Sequence, residues 1–249
     1  HSVCRWCFSG IPIEDLCKAA KEMGLVGIDL IGPSEWPILK KYVLVSTMCN
    51  GAEISLTKGW ADKTNHAVLI QKYNEHIDLV ADAGYTNLIC FSGNRTATLD
   101  DATGLENCAE GLKQIMAHAE KRGVTIIMEL LNSKVDHKDY MCDRTAWGVA
   151  LCKKIGSPNF KLLYDIYHMQ VDEGDVIHTI NTYHEYIGHY HTAGVPGRHE
   201  IDDTQELYYP AIMKAIVATG FNKYVAQEFI PASKDPLASL RQAIKICDV

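Results

Sequence analysis

One carboxylate interrupts an otherwise apolar stretch near the middle of the chain. Residues Thr125–Asn132 run Thr-Ile-Ile-Met-Glu-Leu-Leu-Asn, and Glu129 is the only charged side chain among them. A run this apolar is typical of a β-strand that is buried on both faces. A carboxylate near the end of such a strand is costly unless it is paired, protonated or bound to a metal ion. We therefore expect Glu129 to have partners elsewhere in the chain.

Three later apolar runs also finish in a side chain that could bind a metal. Asp165, His191 and Glu228 lie at, or just past, the ends of the sixth, seventh and eighth predicted strands. A lone carboxylate at a strand end is usually solvated or caps a helix, but here the position recurs on four successive strands. Three carboxylates in one pocket repel each other, and a cation would relieve the repulsion. The oxygen-rich set suits Mg²⁺, Mn²⁺ or Co²⁺, and the histidine leaves Zn²⁺ open.

Alternating strands and helices position these groups. The chain repeats an apolar run followed by a helical stretch, which gives eight strands and eight helices at about one pair per 30 residues. Strict alternation favours a parallel sheet, and eight units fit a closed (β/α)₈ barrel, whose functional groups lie at the carboxyl ends of the strands. An open doubly wound sheet has less support because no Gly-x-Gly-x-x-Gly follows the first strand. We predict an α/β protein with a (β/α)₈ TIM barrel that forms a single domain over residues 1–249. The predicted strands are Val3–Phe8, Gly27–Ile31, Val43–Cys49, Asn87–Phe91, Thr125–Asn132, Phe160–Tyr164, Tyr186–Thr192 and Tyr224–Phe229.

Composition and charge limit the function classes. The 249 residues are 47% hydrophobic and 22% charged, which is typical of a globular protein with a large core. The net charge of −7 disfavours a general affinity for phosphate backbones, so we expect no nucleic-acid partner. No apolar run approaches the roughly 20 residues that a membrane span needs, so we expect no membrane partner.

The cysteines indicate a reduced protein. Nine cysteines make an odd count, and several lie inside apolar runs, so we expect free buried thiols rather than a disulfide framework. Cys4 and Cys7 have the Cys-x-x-Cys spacing, but no second pair follows at zinc-finger spacing, and a metal or redox role has little support. The chain opens without Met, so we interpret it as trimmed or tagged. We expect a cytoplasmic protein and leave a removed export signal open.

Further polar side chains lie near the same strand ends. His168 follows Asp165 by three residues across an expected strand-to-loop bend, so one of them could bind the metal and the other the substrate. His189 shares a face with His191 in a regular strand and is interpreted as a supporting or core histidine. Arg198 is the one strong anion or hydroxyl binder in the loop after the seventh strand.

Aromatic side chains could complete a pocket. Trp6 and Phe8, at the end of the first predicted strand, could form an apolar wall, and Trp60, beyond the third, could act as a lid. All three could equally belong to the core.

Four motifs carry a family resemblance. They are Glu129-Leu130-Leu131-Asn132, Asp165-Ile166-Tyr167-His168-Met169-Gln170 with Glu173-Gly174-Asp175, His189-Tyr190-His191-Thr192-Ala193-Gly194-Val195-Pro196-Gly197-Arg198, and Gln227-Glu228-Phe229. In order and spacing they resemble the xylose isomerase-like TIM-barrel superfamily, and within it the hydroxypyruvate isomerase family most closely. The close match covers roughly residues 120–232, and the first half shows only the general barrel pattern.

The resemblance implies roles for particular residues. The implied ligands of one divalent metal are Glu129, Asp165, His191 and Glu228. The implied proton carriers are Glu129 and Glu228. The expected substrate contacts are His168 and Arg198 from the resemblance, with Asn132 of the first motif and Trp6 of the apolar wall.

The chemistry of these residue types suits isomerisation of an α-hydroxy carbonyl compound. The reaction removes a proton from the carbon next to C=O, a metal stabilises the enediolate, and carboxylates take and return the proton. We expect an isomerase of a small sugar or keto acid, of the hydroxypyruvate and tartronate semialdehyde type. The alternatives are a ketose 3-epimerase or other sugar isomerase, a metal-dependent phosphodiesterase of the endonuclease IV type, and a sugar-binding barrel without catalysis. A homo-oligomer stays open because such barrels often pair.

Overall fold

Eight parallel strands close into a barrel in chain order. The computed structural model describes residues 1–249, and each strand pairs with the next along the chain while the first also pairs with the last. The strands are β1 Ser2–Cys4, β2 Gly27–Ile31, β3 Val45–Cys49, β4 Asn87–Cys90, β5 Thr125–Glu129, β6 Phe160–Asp165, β7 Ile187–Thr192 and β8 Val225–Gln227. The predicted (β/α)₈ barrel is confirmed.

Helices surround the barrel. They are α1 Ile13–Glu22, α2 Trp36–Lys41, α3 His66–Asp82, α4 Asp101–Arg122, α5 Thr145–Ile155, α6 Ile166–Asp172, α7 Val176–Tyr183, α8 Tyr209–Ala218 and α9 Pro236–Cys247. Their ends follow local chemistry: the carboxylates of Asp100 and Asp235 cap α4 and α9, while Gly123 and Gly156 adopt left-handed conformations just after α4 and α5. No helix combines the length and apolar character needed to span a bilayer.

The structure has nine α-helices, one more than predicted. The additional helix, α6, begins directly after β6, where a bend was expected. Asp165 Oδ1 accepts a hydrogen bond from the His168 backbone N–H at 3.1 Å and so caps the first turn. His168 therefore lies on a helix and its position is set by that turn. The first strand is also shorter than predicted, because the 3₁₀ turn Trp6–Phe8 replaces its second half.

Strand β2 is irregular where it pairs with β3. Its register shifts on either side of Asp29, and Leu30 has a φ of 51°, in the left-handed region that a bulky side chain rarely adopts. A regular strand points consecutive side chains to opposite faces. Here Asp29 is fully buried inside the barrel and Leu30 lines the cavity at its mouth, so the irregularity turns two consecutive side chains to the same side.

One hydrophobic cluster of 68 buried residues extends from Val3 to Cys247. Strand β5 is buried at every position, as its apolar sequence predicts.

All nine cysteines are free and eight are buried, so the expectation of buried thiols is confirmed. Trp60 is fully buried and packs on Tyr73, with the ring centroids 5.2 Å apart, so of its two possible roles, lid or core, the structure supports the core. Phe8 is core as well and packs edge-on against Phe229.

Candidate active site

The four strand-end groups meet at the carboxyl end of the barrel. Their potential ligand atoms all lie within 4.8 Å of one another, and the members are Glu129, Asp165, His191 and Glu228. The parallel register explains the convergence, because Asp165 lies opposite His191 and His191 lies opposite Ala226, two residues before Glu228. His191 Nδ1 is 2.8 Å from Glu228 Oε2 and 3.3 Å from Glu129 Oε1.

The electrostatics of this centre are those of crowded buried carboxylates. Burial, and then the charge of Glu228, raise the pKa of Glu129. Burial also raises the pKa of Asp165 well above its ordinary value. Burial opposes the ionisation of Glu228, but the charges of His191 and Arg198 outweigh it and hold the pKa of Glu228 well below its usual range. The same pocket thus separates the two glutamates in proton affinity.

The four residues fit a divalent cation. Glu129 Oε1 and His191 Nδ1 are buried and contact each other, but neither atom makes an aligned hydrogen bond, which is costly for polar atoms. Three carboxylates and one imidazole are the oxygen-rich donor set that Mg²⁺, Mn²⁺ and Co²⁺ bind, and Zn²⁺ tolerates it. The set alone does not select among these ions.

Arg198 lies beside the same carboxylates. Its Nη2 donates to Glu228 Oε2 at 2.6 Å and to Asp165 Oδ2 at 3.3 Å. The guanidinium carbon lies 5.1 Å from the ring centroid of Trp6 and 5.4 Å from that of Tyr167, which holds the cation between two aromatic rings. Its loop needs glycine nearby, since a Cβ on Gly194 would lie 2.2 Å from the Glu200 carbonyl oxygen. Arg198 therefore presents a fixed positive charge at the centre.

His168 presents a hydrogen-bond donor to the site. Asn132 Oδ1 accepts from the backbone N–H groups of Val135 and Asp136, so its Nδ2 is the end that faces His168 Nδ1, at 2.6 Å. Nδ1 must then be the acceptor, which leaves the proton on Nε2. Burial lowers the pKa of His168 well below its ordinary value, so the ring is neutral. Its Nε2 lies 3.7 Å from Asp165 Oδ2, is buried and has no partner.

Trp6 contacts a carboxylate as well as forming part of the wall. Its Nε1–H donates to Glu228 Oε1 at 2.8 Å, although the residue is 41% exposed. A cavity of about 320 Å³ opens above the centre, and Glu129, Arg198, Glu228 and His137 contribute its polar lining. The opposite lining is apolar and consists of Trp6, Leu30, Leu56, Phe91 and Leu131. The predicted wall therefore contains Trp6 but not Phe8, and Leu56 lies at the mouth where Trp60 was expected.

Like His137 of the cavity lining, Asp29 is a polar residue near the centre that the sequence interpretation missed. It is fully buried, and its carboxylate contacts His191 Nε2 at 3.0 Å and His189 Nε2 at 2.8 Å. His189 thus supports the site from below, in line with its interpretation as a supporting histidine. A lone carboxylate in the apolar run Gly-Ile-Asp-Leu-Ile is the signal that identified Glu129, and it would have found Asp29 too.

Comparison with known families agrees with this geometry. Residues 8–248 match the family described as xylose isomerase-like TIM barrel. The chain belongs to the xylose isomerase-like TIM barrel family. The superfamily resemblance carried by the four motifs is therefore confirmed, and the match extends it into the first half of the chain.

Individual relatives differ in how much of the chain they match. A 2-oxo-tetronate isomerase from Cupriavidus necator is 37% identical over 130 residues, which are 52% of this chain and 48% of the relative, so the chain spans about half the length of this curated relative. A hydroxypyruvate isomerase from Escherichia coli is 27% identical over 224 residues, 86% of either chain. A solved structure titled AP endonuclease, family 2, from Brucella melitensis superposes with a TM-score of 0.81 over 96% of both chains. Its identity is 22%, so that likeness concerns the fold alone.

Proposed function

We propose that the protein is a divalent-cation-dependent isomerase of small α-hydroxy carbonyl compounds, of the hydroxypyruvate and tartronate semialdehyde type. The observation that carries the proposal is the pair Glu129 and Glu228. Both are buried, both line the same cavity, and each has an oxygen within 3.3 Å of His191 Nδ1. Two carboxylates around one small cavity are what a reaction that removes a proton from carbon and returns it needs.

The two glutamates would carry the proton. One carboxylate takes the proton from the carbon that bears the hydroxyl, the C–H electron pair becomes a C=C bond, and the carbonyl oxygen gains a negative charge. A carboxylic acid then protonates the former carbonyl carbon, and the hydroxyl proton passes to the other oxygen. The carbonyl and hydroxyl groups thereby exchange places without an oxidant or reductant. A divalent cation held by Glu129, Asp165, His191 and Glu228 would supply positive charge that stabilises the developing oxygen charge.

Neighbouring side chains would bind and orient the substrate. Arg198 offers a fixed positive charge to an oxygen or carboxylate of the substrate, and His168 Nε2–H offers a neutral donor oriented by Asn132. Trp6 donates to Glu228 Oε1 and Arg198 donates to Glu228 Oε2, so both oxygens of this carboxylate are held in place. The apolar wall restricts water around the enediolate.

Two further observations support the proposal. Both curated relatives described above are named as isomerases, of 2-oxo-tetronate and of hydroxypyruvate, and both names denote short oxo acids. The net charge of −7 disfavours a phosphodiester substrate. We also infer a single domain from the one hydrophobic cluster, and a reducing compartment such as the cytoplasm from the nine free thiols.

The test is a substrate panel. Protein treated with a chelator and reloaded with Mg²⁺, Mn²⁺, Co²⁺ or Zn²⁺ is incubated with C3 to C6 oxo acids, ketoses and aldoses, and the products are followed by NMR in D₂O. We expect turnover of a C3 or C4 oxo acid, with solvent deuterium entering at the carbon that receives the proton. Inversion at one carbon of a ketose with no shift of the carbonyl would instead identify an epimerase.

Substitutions test the two-carboxylate mechanism. Glu129→Gln and Glu228→Gln should each lower kcat by about 10²–10⁴-fold, the usual contribution of a positioned acid or base. The matched control is Glu185→Gln, an exposed carboxylate just before β7, at the opposite end of the barrel, which should keep wild-type activity. Full activity in either site variant, or cleavage of abasic-site DNA without turnover of any panel member, would overturn the proposal.

A further inference from the structure

We propose that Asp29 is a positioning residue that, together with His189, fixes the ring of His191 so that Nδ1 faces the four-group centre. This inference rests on the cation centre of the proposed function. It adds to that centre a second layer of residues, below the ligands, that comes from strands β1 to β3 as well as β7.

The contacts of His191 define which nitrogen is free. Nε2 lies 3.0 Å from Asp29 Oδ1, whereas Nδ1 lies on the other side of the ring, near both glutamates. Carboxylates thus face both ring nitrogens, but a cation held at the centre would take the lone pair of Nδ1, which leaves the proton of the then neutral imidazole on Nε2, where Asp29 accepts it. The lone pair of Nδ1 is then directed at the centre. A carboxylate behind a metal-binding histidine is a general means of fixing its tautomer and ring orientation.

Asp29 is itself held on all sides. Its Oδ2 accepts from Thr47 Oγ1 at 2.8 Å and lies 2.8 Å from His189 Nε2, while Cys4 Sγ lies 3.6 Å from Oδ1. These contacts come from β3, β7 and β1, and the carboxylate has no exposure to water. The His189 and His191 rings pack edge to face, with centroids 5.2 Å apart. Both Asp29 and His191 are fully buried and held by contacts from several strands.

The irregularity of β2 gives independent support. Leu30 holds a left-handed backbone conformation that costs a non-glycine residue about 1–3 kcal/mol, and such strain clusters at functional sites. The register shift turns Asp29 into the barrel interior under His191 while Leu30 still reaches the cavity mouth. A regular strand would place only one of these two side chains inside. The strained backbone is therefore explained if both positions serve the site.

Two substitutions of Asp29 should weaken cation binding to different extents. Asp29→Asn keeps one acceptor oxygen but replaces the other with an NH₂ donor, so it cannot accept from both imidazoles. Asp29→Ala removes both acceptors. Because loss of a carboxylate behind a metal-binding histidine typically weakens metal binding about 10–100-fold, we expect Co²⁺ affinity to fall within that range, more in the alanine variant than in the asparagine variant. Co²⁺ absorption in the visible range measures the affinity without any turnover.

The matched control is Ser46→Ala. Ser46 is a buried polar residue on β3 whose hydroxyl bonds to backbone carbonyls and contacts neither Asp29 nor His191. The control loses buried hydrogen bonds and should keep wild-type Co²⁺ affinity. A second readout is ¹⁵N NMR of the Mg²⁺-loaded wild-type protein with labelled histidine, where we expect His191 to retain its proton on Nε2.

The outcomes separate this inference from the proposed function. Wild-type protein that binds none of the four cations would overturn both. Wild-type binding with unchanged affinity in Asp29→Asn and Asp29→Ala would overturn the positioning role alone. If the variants fail to fold, the wild-type spectrum still decides, because a His191 ring protonated on Nδ1 in the Mg²⁺-loaded protein contradicts the role and protonation on Nε2 supports it.

Discussion

The hydrogen bond from Trp6 to Glu228 offers a sharp test of the active-site assignment. Trp6→Phe retains an aromatic ring beneath the Arg198 guanidinium, which lies 5.1 Å from the indole centroid, but removes the N–H that donates to Glu228 Oε1 at 2.8 Å. The substitution therefore keeps the contribution of Trp6 to the apolar wall and removes only its hydrogen bond to Glu228. Any large change in catalysis would come from the carboxylate.

The magnitude follows from the type of bond and its exposure. A hydrogen bond to a charged group contributes about 1.5–3 kcal/mol, and because Trp6 is 41% exposed, water can replace part of it. We therefore expect the low end, about 1.5 kcal/mol, which is roughly a tenfold loss in kcat/KM. Loss of a donor disfavours the ionised form, so the pKa of Glu228 should rise. If Glu228 acts as a base, the acidic limb of the kcat/KM profile should move to higher pH.

The assay compares pH profiles of kcat/KM with the best substrate of the panel. Trp36→Phe is the matched control, because Trp36 Nε1–H also makes a buried hydrogen bond, to the Ile31 carbonyl at 2.9 Å. That control should lose stability and keep the wild-type profile. A Trp6→Phe protein with wild-type kcat/KM and an unmoved acidic limb would refute a role for this contact.

The remaining predictions concern stability and the cation. Glu200→Gln should lower Tm at pH 7. Burial opposes the ionisation of Glu200, but hydrogen bonds from backbone N–H groups near α9 outweigh it and hold the pKa below its ordinary 4.5. The stability that the carboxylate contributes is lost as pH falls through the lowered pKa, so the difference in Tm between variant and wild type should close below pH 4.5. Gly27→Ala should destabilise by about 1–3 kcal/mol in urea unfolding, because a Cβ there would lie 2.3 Å from the backbone carbonyl oxygen of Val45 on the neighbouring strand. Arg95→Met should cost about 3 kcal/mol, because Arg95 binds both oxygens of the buried Asp143; equal stability in urea would contradict this. Saturating Mn²⁺ or Mg²⁺ should raise Tm by about 5–10 °C at 100 times the dissociation constant, and no shift with any divalent cation would count against the centre.

The strands and their carboxyl ends could be predicted because the signal is local. An apolar run buried on both faces marks each strand, and the alternation with helices marks the barrel, so Glu129, Asp165 and His191 fall at the ends where they were expected. Strand β2 was predicted with its observed bounds, Gly27–Ile31. Glu228 also lies where expected, although β8 ends one residue before it. The ends of a strand are set by nearby residues, so the local sequence pattern predicts which residues lie there.

Helix α6 was missed although its signal is local: Asp165 caps it from three residues away, but Asp165 was interpreted only as a candidate metal ligand. Other features depend on contacts between distant segments and were not predictable from local sequence. Trp60 is an aromatic residue in the loop after β3, a position from which it could cover the pocket, but it packs instead on Tyr73 of helix α3. The shift in the pairing of β2 with β3 at Asp29 could not be predicted from the alternation of side chains. A shift of one residue turns every later side chain of the strand to the other face, so the alternation no longer indicates which side chains point inward.

The two halves of the barrel contribute different parts of the candidate site. Strands β5 to β8 supply the four convergent groups, and the loop after β7 supplies Arg198, so this half carries the charge on which the proposed proton transfer depends. The first half supplies Leu30, Leu56 and Phe91 of the apolar wall, along with Trp6. These apolar side chains offer no hydrogen-bond partners for the additional hydroxyl groups of a long sugar, and the polar side chains of the same half, Asn50, Glu53 and Ser55, line the adjoining pocket instead. Selection for a short substrate would therefore lie in the half of the chain that carries none of the four cation-binding groups, and exchanging those wall residues should change the choice of substrate while leaving cation affinity intact.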